Sequence, residues 1–178
     1  MSQPLPVSEH QLPPGGIANR LGLIFMRLLA HMPLSWVRAL GWLLGRALHL
    51  VAARRRRIAL TNWGLCFPEQ SAAERNRAVR QHFVFFAQAW LDRSWLWHGH
   101  PDKLRQRLRL KGALAELDGK QPVVLFAPHF VGLDAGWAAL TQQLPRAFTT
   151  IYTDQANKLL DRWILRGRRR FGNARLFG

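Results

Sequence analysis

The sequence is poor in cysteine and in acidic residues, and each shortage excludes classes of protein. Cys66 is the one cysteine in 178 residues, so an intramolecular disulfide and a cysteine-rich zinc site are both excluded. Only 10 Asp and Glu residues stand against 26 Lys and Arg, which leaves a formal net charge of +16. Such an excess of positive charge favours polyanionic partners: nucleic acid, anionic lipid headgroups or an acidic protein.

Two familiar sequence patterns are also missing. No GxSxG motif is present, so the usual serine nucleophile of α/β-hydrolases is absent. The opening MSQPLPVSEHQLPPGG lacks the basic start and apolar core of a signal peptide, and its Pro, Gly and polar content predicts a flexible tail over residues 1–16. The chain as a whole is 48% hydrophobic and has eight tryptophans, which is enough for one folded domain with a core.

Residues 17–57 are dominated by Leu, Ala, Trp and Val and predict two helices that meet at Pro33. The second helix would extend about 30 Å, roughly the thickness of a bilayer's hydrocarbon core. A narrow polar stripe along it contains Arg38, Arg46 and His49, and four arginines follow at 54–57. This pattern predicts a membrane-associated helical region, and it leaves open whether the helix spans the bilayer or lies in its interface.

Residues 58–178 predict an α/β domain. A capping box at Ser71–Glu74 begins a helix whose stripe of Val79, Phe83, Phe86 and Trp90 indicates core packing. Predicted strands then alternate with predicted helices, which indicates a largely parallel βαβ domain that is incomplete at its C-terminal end. The strands are Arg107 to Lys111, PVVLFA (a fully buried run), AFTTIYT and ARLFG, and the helices are GALAEL, 132–144 and 157–169.

A histidine and an aspartate follow the buried-strand candidate PVVLFA. His129 comes two residues after that run, at the strand end where functional groups collect in open α/β sheets, and Asp134 follows after four intervening residues. If His129 stays in a loop and Asp134 enters the first turn of a helix, the carboxylate can orient the imidazole as a general base. With no protein nucleophile beside the pair, the sequence predicts that a substrate hydroxyl is the nucleophile.

Other basic residues carry weaker predictions. The arginines at 162–170 are typical either of a phosphate-binding cluster or of a solvated helix face, and spacing alone does not separate the two. His98 and His100 are only two candidate ligands with no cysteine near them, which makes a weak metal site, so we expect neither a metal ion nor another bound cofactor.

Four motifs in order resemble the lipid A biosynthesis acyltransferases, the lauroyl and myristoyl transferases of Gram-negative bacteria. They are RRRRIALTNWGLCFPE, APHFVGLDAGW, IYTDQANKLLD and LRGRRRFG. The resemblance implies that His129 is the catalytic base and Asp134 its orienting partner. It also implies that Arg168 and Arg170 contact phosphate groups and that Asn157 belongs to the substrate site.

The resemblance further implies an acyl carrier protein thioester as donor, a hydroxyl of a lipid A precursor as acceptor, and an inner-membrane location with the active site facing the cytoplasm. Relatives are expected to be longer, so we expect the chain to be the N-terminal part of a transferase with little turnover of its own. The predicted organisation is a tail at 1–16, a membrane-associated region at 17–57 and a truncated acyltransferase domain at 58–178. An inactive membrane-bound fragment and a basic nucleic-acid-binding protein remain the alternatives.

Overall fold

The computed structural model describes residues 16–119, 121–172 and 174–177, and it is mostly helical with a small parallel sheet. Apart from Gly16, the predicted flexible tail lies outside the described residues. The helices are α1 (Ile17–Leu29), α2 (Leu34–Val51), α3 (Ala53–Cys66), α4 (Ala72–His98), α5 (Pro101–Arg107), a 3₁₀ turn (Leu114–Leu117), α6 (Leu133–Gln143) and α7 (Lys158–Arg168), and the strands are β1 (Phe148–Ile151) and β2 (Ala174–Phe177).

Helix α4 is the centre of the fold, since α1, α2, α3, α6 and α7 all pack against it. The predicted capping box is confirmed at its start: Glu74 N–H donates to Ser71 Oγ at 3.3 Å, and Ser71 N–H donates to Glu74 Oε2 at 2.8 Å. Both contacts satisfy backbone N–H groups that a helix start leaves unpaired. The 27-residue helix therefore has a well-defined beginning.

The predicted core stripe of α4 is correct for Val79 and Phe83, which are buried, and Trp90 is half-buried. It is wrong for Phe86, whose side chain is exposed. The physical reason is helical geometry: the buried face of α4 is rotated away from Phe86, which lies at the edge of the predicted stripe. Val84, Ala87 and Leu91 mark that face.

Helix α2 approaches α4 closely through its two buried glycines. A Cβ atom on Gly41 would lie 2.9 Å from Gln88 Cα, and one on Gly45 would lie 2.8 Å from the Phe83 carbonyl oxygen. Only a residue without a side chain fits at this distance from a neighbouring backbone. Part of the polar stripe predicted along this helix faces α4, since Arg38 Nη2 pairs with Asp92 Oδ2 at 3.1 Å, whereas Arg46 is exposed.

The opposite faces of α1 and α2 leave large apolar side chains exposed. We call this surface the outer face; it includes Leu21, Ile24, Phe25, Leu28, Trp36, Trp42, Leu43, Leu50 and Val51. None of the helices in the described part of the chain has the length and hydropathy that a membrane span requires. The inner sides of the same helices belong to the main core, to which Met26, Leu29 and Val37 contribute beside residues of α4 and α7.

The part of the chain after α5 confirms several local predictions. Helices α6 and α7, the turn at Leu114–Leu117 and strands β1 and β2 all form close to the expected positions. The two strands are parallel neighbours, with Phe148 opposite Ala174 and Ile151 opposite Phe177. Because parallel strands need a crossover connection, the chain passes through α7 between them.

Two strand predictions are wrong. Residues 108–111 are irregular, and Arg107 is the last residue of α5. The run PVVLFA is neither a strand nor buried, since Val124 is 96% exposed and Phe126 is 93% exposed. A strand needs a partner for its backbone N–H and C=O groups, and in the described residues β1 pairs with β2 while nothing pairs with 122–127.

Candidate active site

Asp134 lies in the first turn of α6, as the sequence predicted. The helix begins after Gly132, which offers no side chain to cap it, so the carboxylate is the negative group nearest to the positive end of the helix. The Asp134 side chain is buried, with 11% of its surface exposed. A carboxylate at this depth requires charged or hydrogen-bonding partners.

Two arginines from different helices supply those partners. Arg93 of α4 donates from Nε to Asp134 Oδ2 at 2.8 Å, and its Nη2 lies 2.8 Å from the same oxygen. Arg168, at the end of α7, donates from Nε to Asp134 Oδ1 at 2.9 Å. Burial acts to raise the pKa of Asp134, but the two guanidinium groups outweigh it and hold that pKa below its usual value. We call these three residues the Asp134 cluster.

His129 lies on the exposed segment 121–131, which runs from the 3₁₀ turn toward α6. Arg146 anchors the start of this segment, since its guanidinium donates to the carbonyl oxygens of Leu117 at 2.7 Å and Gln121 at 2.9 Å. The His129 ring is exposed, and within the described residues no hydrogen bond links it to Asp134. The structure thus brings Asp134 together with Arg168 rather than with His129, and the predicted catalytic pairing stays a prediction.

The two remaining predicted residues have partners inside the fold. Arg170 donates from Nη1 to the Leu96 carbonyl oxygen at 2.8 Å and from Nη2 to that of Gly99, which ties α7 to the end of α4. Asn157 caps α7, because its Oδ1 accepts from the N–H groups of Leu159 at 3.1 Å and Leu160 at 3.2 Å. Both contacts are structural, and neither tests the predicted substrate roles.

Helices α6 and α7 are joined beside the Asp134 cluster. Trp137 of α6 donates from its indole N–H to the Arg168 carbonyl oxygen at 2.8 Å. Gly167 packs so closely on the Trp97 ring that a side chain would overlap it. These contacts hold the Arg168 backbone beside α6, and its guanidinium binds Oδ1 of Asp134 while Arg93 binds Oδ2.

Arg93 is the site residue that our sequence reasoning missed. The sequence does contain a signal for this residue, because Arg93 stands in WLDRSWLW, where two adjacent charges interrupt an apolar helix stripe. Lone charges are rarely buried, so a charge in such a stripe indicates an ion pair with another element. Asp92 follows the same rule, since it pairs with Arg38 and accepts from the Trp95 indole at 2.9 Å.

His98 and His100 each have a contact of their own and do not share a site. His98 Nε2 accepts from the Trp163 indole N–H at 2.9 Å, and burial lowers the His98 pKa. His100 Nδ1 accepts from the Asp102 N–H at 3.3 Å at the start of α5. Among the residues that the structure describes, no three His, Cys, Asp or Glu side chains come together in a way that could hold a metal ion.

A family model described as bacterial lipid A biosynthesis acyltransferase matches residues 7–176. The match spans nearly the whole chain and contains both His129 and the Asp134 cluster. This chain belongs to that family. The resemblance noted in the four sequence motifs is thereby confirmed.

Individual relatives carry names from the same lipid A acyltransferase family. A lipid A biosynthesis acyltransferase of Haemophilus influenzae is 29% identical over 157 residues, covering 85% of this chain and 48% of the relative. A lipid A biosynthesis palmitoleoyltransferase of Escherichia coli is 27% identical over 158 residues, covering 86% and 50% respectively. A lipid A biosynthesis myristoyltransferase of Escherichia coli is 31% identical over 132 residues, covering 72% and 41%.

The chain spans about half the length of the curated relatives it matches, or less. No solved structure gave a significant match. Membership of the lipid A acyltransferase family therefore rests on sequence, and the structure adds the contacts that Asp134 makes with Arg93 and Arg168.

Proposed function

We propose that this protein transfers a fatty acyl group from an acyl carrier protein thioester to a hydroxyl of a lipid A precursor. The observation that carries the proposal is the family match over residues 7–176, which includes the His129 and Asp134 motif. The net charge of +16 also favours an acidic carrier protein and a phosphorylated lipid as partners.

In the proposed reaction, His129 accepts the proton of the acceptor hydroxyl as the oxygen attacks the thioester carbonyl. The resulting tetrahedral intermediate collapses and the carbon–sulfur bond breaks. His129 gives its proton to the departing sulfur, so the carrier protein is released as its free thiol. The product is an ester, and no acyl-enzyme forms because the substrate supplies the nucleophile. The exposed position of His129 supports this role, since two large substrates must reach the base.

The other predicted residues take supporting roles. Asp134 holds the start of α6 next to the segment that carries His129. Arg168 uses only its Nε within the described residues, so its two terminal nitrogens remain for a lipid phosphate, a bidentate grip that guanidinium favours. Arg170 and Asn157 would contact substrate only in addition to the backbone contacts that they already make.

The decisive test is acyl transfer from a carrier-protein thioester to a lipid A precursor, measured on the purified protein. We expect His129→Ala to lower the rate about 10²- to 10⁴-fold, the usual contribution of general-base catalysis. His31→Ala is the matched control, because His31 is an exposed histidine in the turn between α1 and α2. Near-normal turnover by a folded His129→Ala protein contradicts the assignment, as does an equal loss in both variants.

We also propose that the protein acts on the cytoplasmic side of the inner membrane and binds the membrane through its outer face. Large apolar side chains cover that face, and Arg54, Arg55 and Arg57 lie exposed at the start of α3. This combination suits the boundary between acyl chains and anionic headgroups. The core contribution of Met26, Leu29 and Val37 means that deleting α1 and α2 would uncover α4, so point substitutions are the better test.

Vesicle sedimentation tests the membrane proposal. The protein should sediment with vesicles that contain anionic lipid, and Leu43→Gln combined with Leu50→Gln should weaken this binding. Replacing Arg54, Arg55 and Arg57 by Gln should weaken it most at low salt, because exposed charges are screened at high salt. The matched control replaces Lys103, Arg105 and Arg109, which are exposed elsewhere. Equal binding by all variants contradicts the proposal, and salt-sensitive binding to single-stranded RNA alone favours the nucleic-acid alternative.

A further inference from the structure

Arg93 is a half-buried cation that contacts two aromatic rings as well as Asp134. Its side chain is 19% exposed, and its guanidinium carbon lies 4.2 Å from the centre of the Trp90 ring and 5.6 Å from that of Trp97. A guanidinium that stacks on aromatic rings is restricted in rotation and favoured by the ring quadrupole. Arg93 therefore presents Nε and Nη2 toward α6 with little freedom to move away.

Both of those nitrogens contact the same carboxylate oxygen of Asp134, at 2.8 Å each. The other oxygen accepts from Arg168 at 2.9 Å. The carboxylate is thus held by α4 through one oxygen and by the end of α7 through the other, and its position sets that of the first turn of α6. The segment that carries His129 enters the helix at this turn.

Arg93 and Arg168 differ in how accessible their remaining guanidinium nitrogens are. The remaining nitrogen of Arg93, Nη1, is buried and has no hydrogen-bond partner among the described residues, so a substrate cannot reach it. Arg168 has a side chain 23% exposed, with both terminal nitrogens unused in the described part of the chain. The terminal nitrogens of Arg168 can therefore contact a phosphate, whereas Arg93 can pair only with Asp134.

We propose that Arg93 is a positioning residue for the acyl transfer: it keeps the Asp134 carboxylate and the first turn of α6 in place while Arg168 contacts substrate. This inference rests on the proposed function. It extends that function by a residue that lies outside the motif and acts through Asp134 rather than on substrate. The lowered pKa of Asp134 is consistent with it, since Arg93 makes the largest contribution that opposes burial.

The first experiment needs no activity. In the 178-residue chain, the Asp134 carboxyl pKa is measured by ¹³C NMR for the unaltered protein, Arg93→Gln, Arg93→Lys and the control Arg77→Gln. Arg77 is exposed on the same helix. We expect Arg93→Gln to raise the pKa by about one unit or more, Arg93→Lys to restore most of the shift, and Arg77→Gln to have no effect. Should Arg93→Gln fail to fold, Arg93→Lys alone decides: it must keep the pKa near that of the unaltered protein.

The second experiment measures kcat and KM for acyl transfer by the purified protein. Arg93→Gln should lower kcat about 10²-fold with little change in KM, as expected when a catalytic group is misplaced. In an Asp134→Asn background, Arg93→Gln should cause almost no further loss, because its partner is already absent. A purely structural arginine would instead produce independent losses that multiply.

The two experiments separate the failure of this inference from that of the proposed function. An inactive unaltered protein counts against the proposed function alone, and the Asp134 pKa then decides the role of Arg93. The inference is overturned if Arg93→Gln leaves the Asp134 pKa where Arg77→Gln leaves it. It is also overturned if the protein is active and the two losses multiply.

Discussion

The His129 and Asp134 motif joins two regions with opposite surroundings. Asp134 lies in a helix that packs on α4, and its carboxylate is held by two arginines at 2.8 and 2.9 Å. His129 lies on a segment in which Val124 and Phe126 are more than nine-tenths exposed. The difference indicates a division of tasks: the carboxylate belongs to a rigid scaffold, and the imidazole is left accessible. Predictions that alter one region and spare the other test this division.

The largest effect on stability should come from Asp134→Ala. Removing the carboxylate leaves two guanidinium groups unpaired, and breaking a buried ion pair in this way costs about 3 kcal/mol when the partners are partly exposed. Urea unfolding of the variant measures this loss. His129→Ala serves as the comparison, since truncating an exposed side chain should change the unfolding free energy by less than about 0.5 kcal/mol. Similar losses in the two variants would contradict the proposed division.

The contribution of Asp134 should also depend on pH. Because its pKa is lower in the folded protein than in the unfolded chain, the stabilisation is present above the unfolded value of about 4 and is lost as the pH falls through the folded value. The stability difference between the unaltered protein and Asp134→Asn should therefore be largest near neutral pH and shrink in acid. Unfolding curves at several pH values measure it, and all other carboxyl groups cancel in the comparison. A difference that grows in acid would mean that the pKa is raised.

Asn157→Ala should have an intermediate effect. Asn157 Oδ1 accepts two backbone N–H groups at the start of α7, and loss of such a cap costs about 1 kcal/mol. Asn157→Asp keeps the acceptor oxygen and should retain most of the stability. If Asn157 also contacts substrate, KM should rise in both variants. An unchanged KM in Asn157→Asp would restrict the residue to its capping role.

The smallest effect should come from the exposed segment. Val124→Ala should change the unfolding free energy by less than about 0.5 kcal/mol, because Val124 is 96% exposed. Val79→Ala is the matched substitution in the core, where the side chain is 0% exposed, and it should cost about 2 kcal/mol. Thermal unfolding measures both. A large loss for Val124→Ala would show that the segment packs against something, as the buried-strand prediction required.

Much of the local structure could be predicted because its causes lie within a few residues. The capping box at Ser71 and Glu74 involves side chains and N–H groups three positions apart. Helix α6 after Gly132 and helix α7 after Asn157 follow in the same way from short-range signals. The apolar run PVVLFA can form a buried strand only if another strand pairs with it. The sequence of the run itself does not say whether such a partner exists.

The features of the candidate site also divide into those set by short-range sequence signals and those set by helix packing. The sequence by itself determined the spacing of His129 and Asp134, the start of α6 at the aspartate, the positive charge and the family. Only the tertiary structure decided which groups hold the carboxylate, because Arg93 and Arg168 lie 41 and 34 positions away along the chain. Helical periodicity and capping act over one or two turns, whereas an ion pair between α4, α6 and α7 exists only after those helices have packed. The partners of a buried charge are therefore set by packing, even where its position in the sequence is already clear.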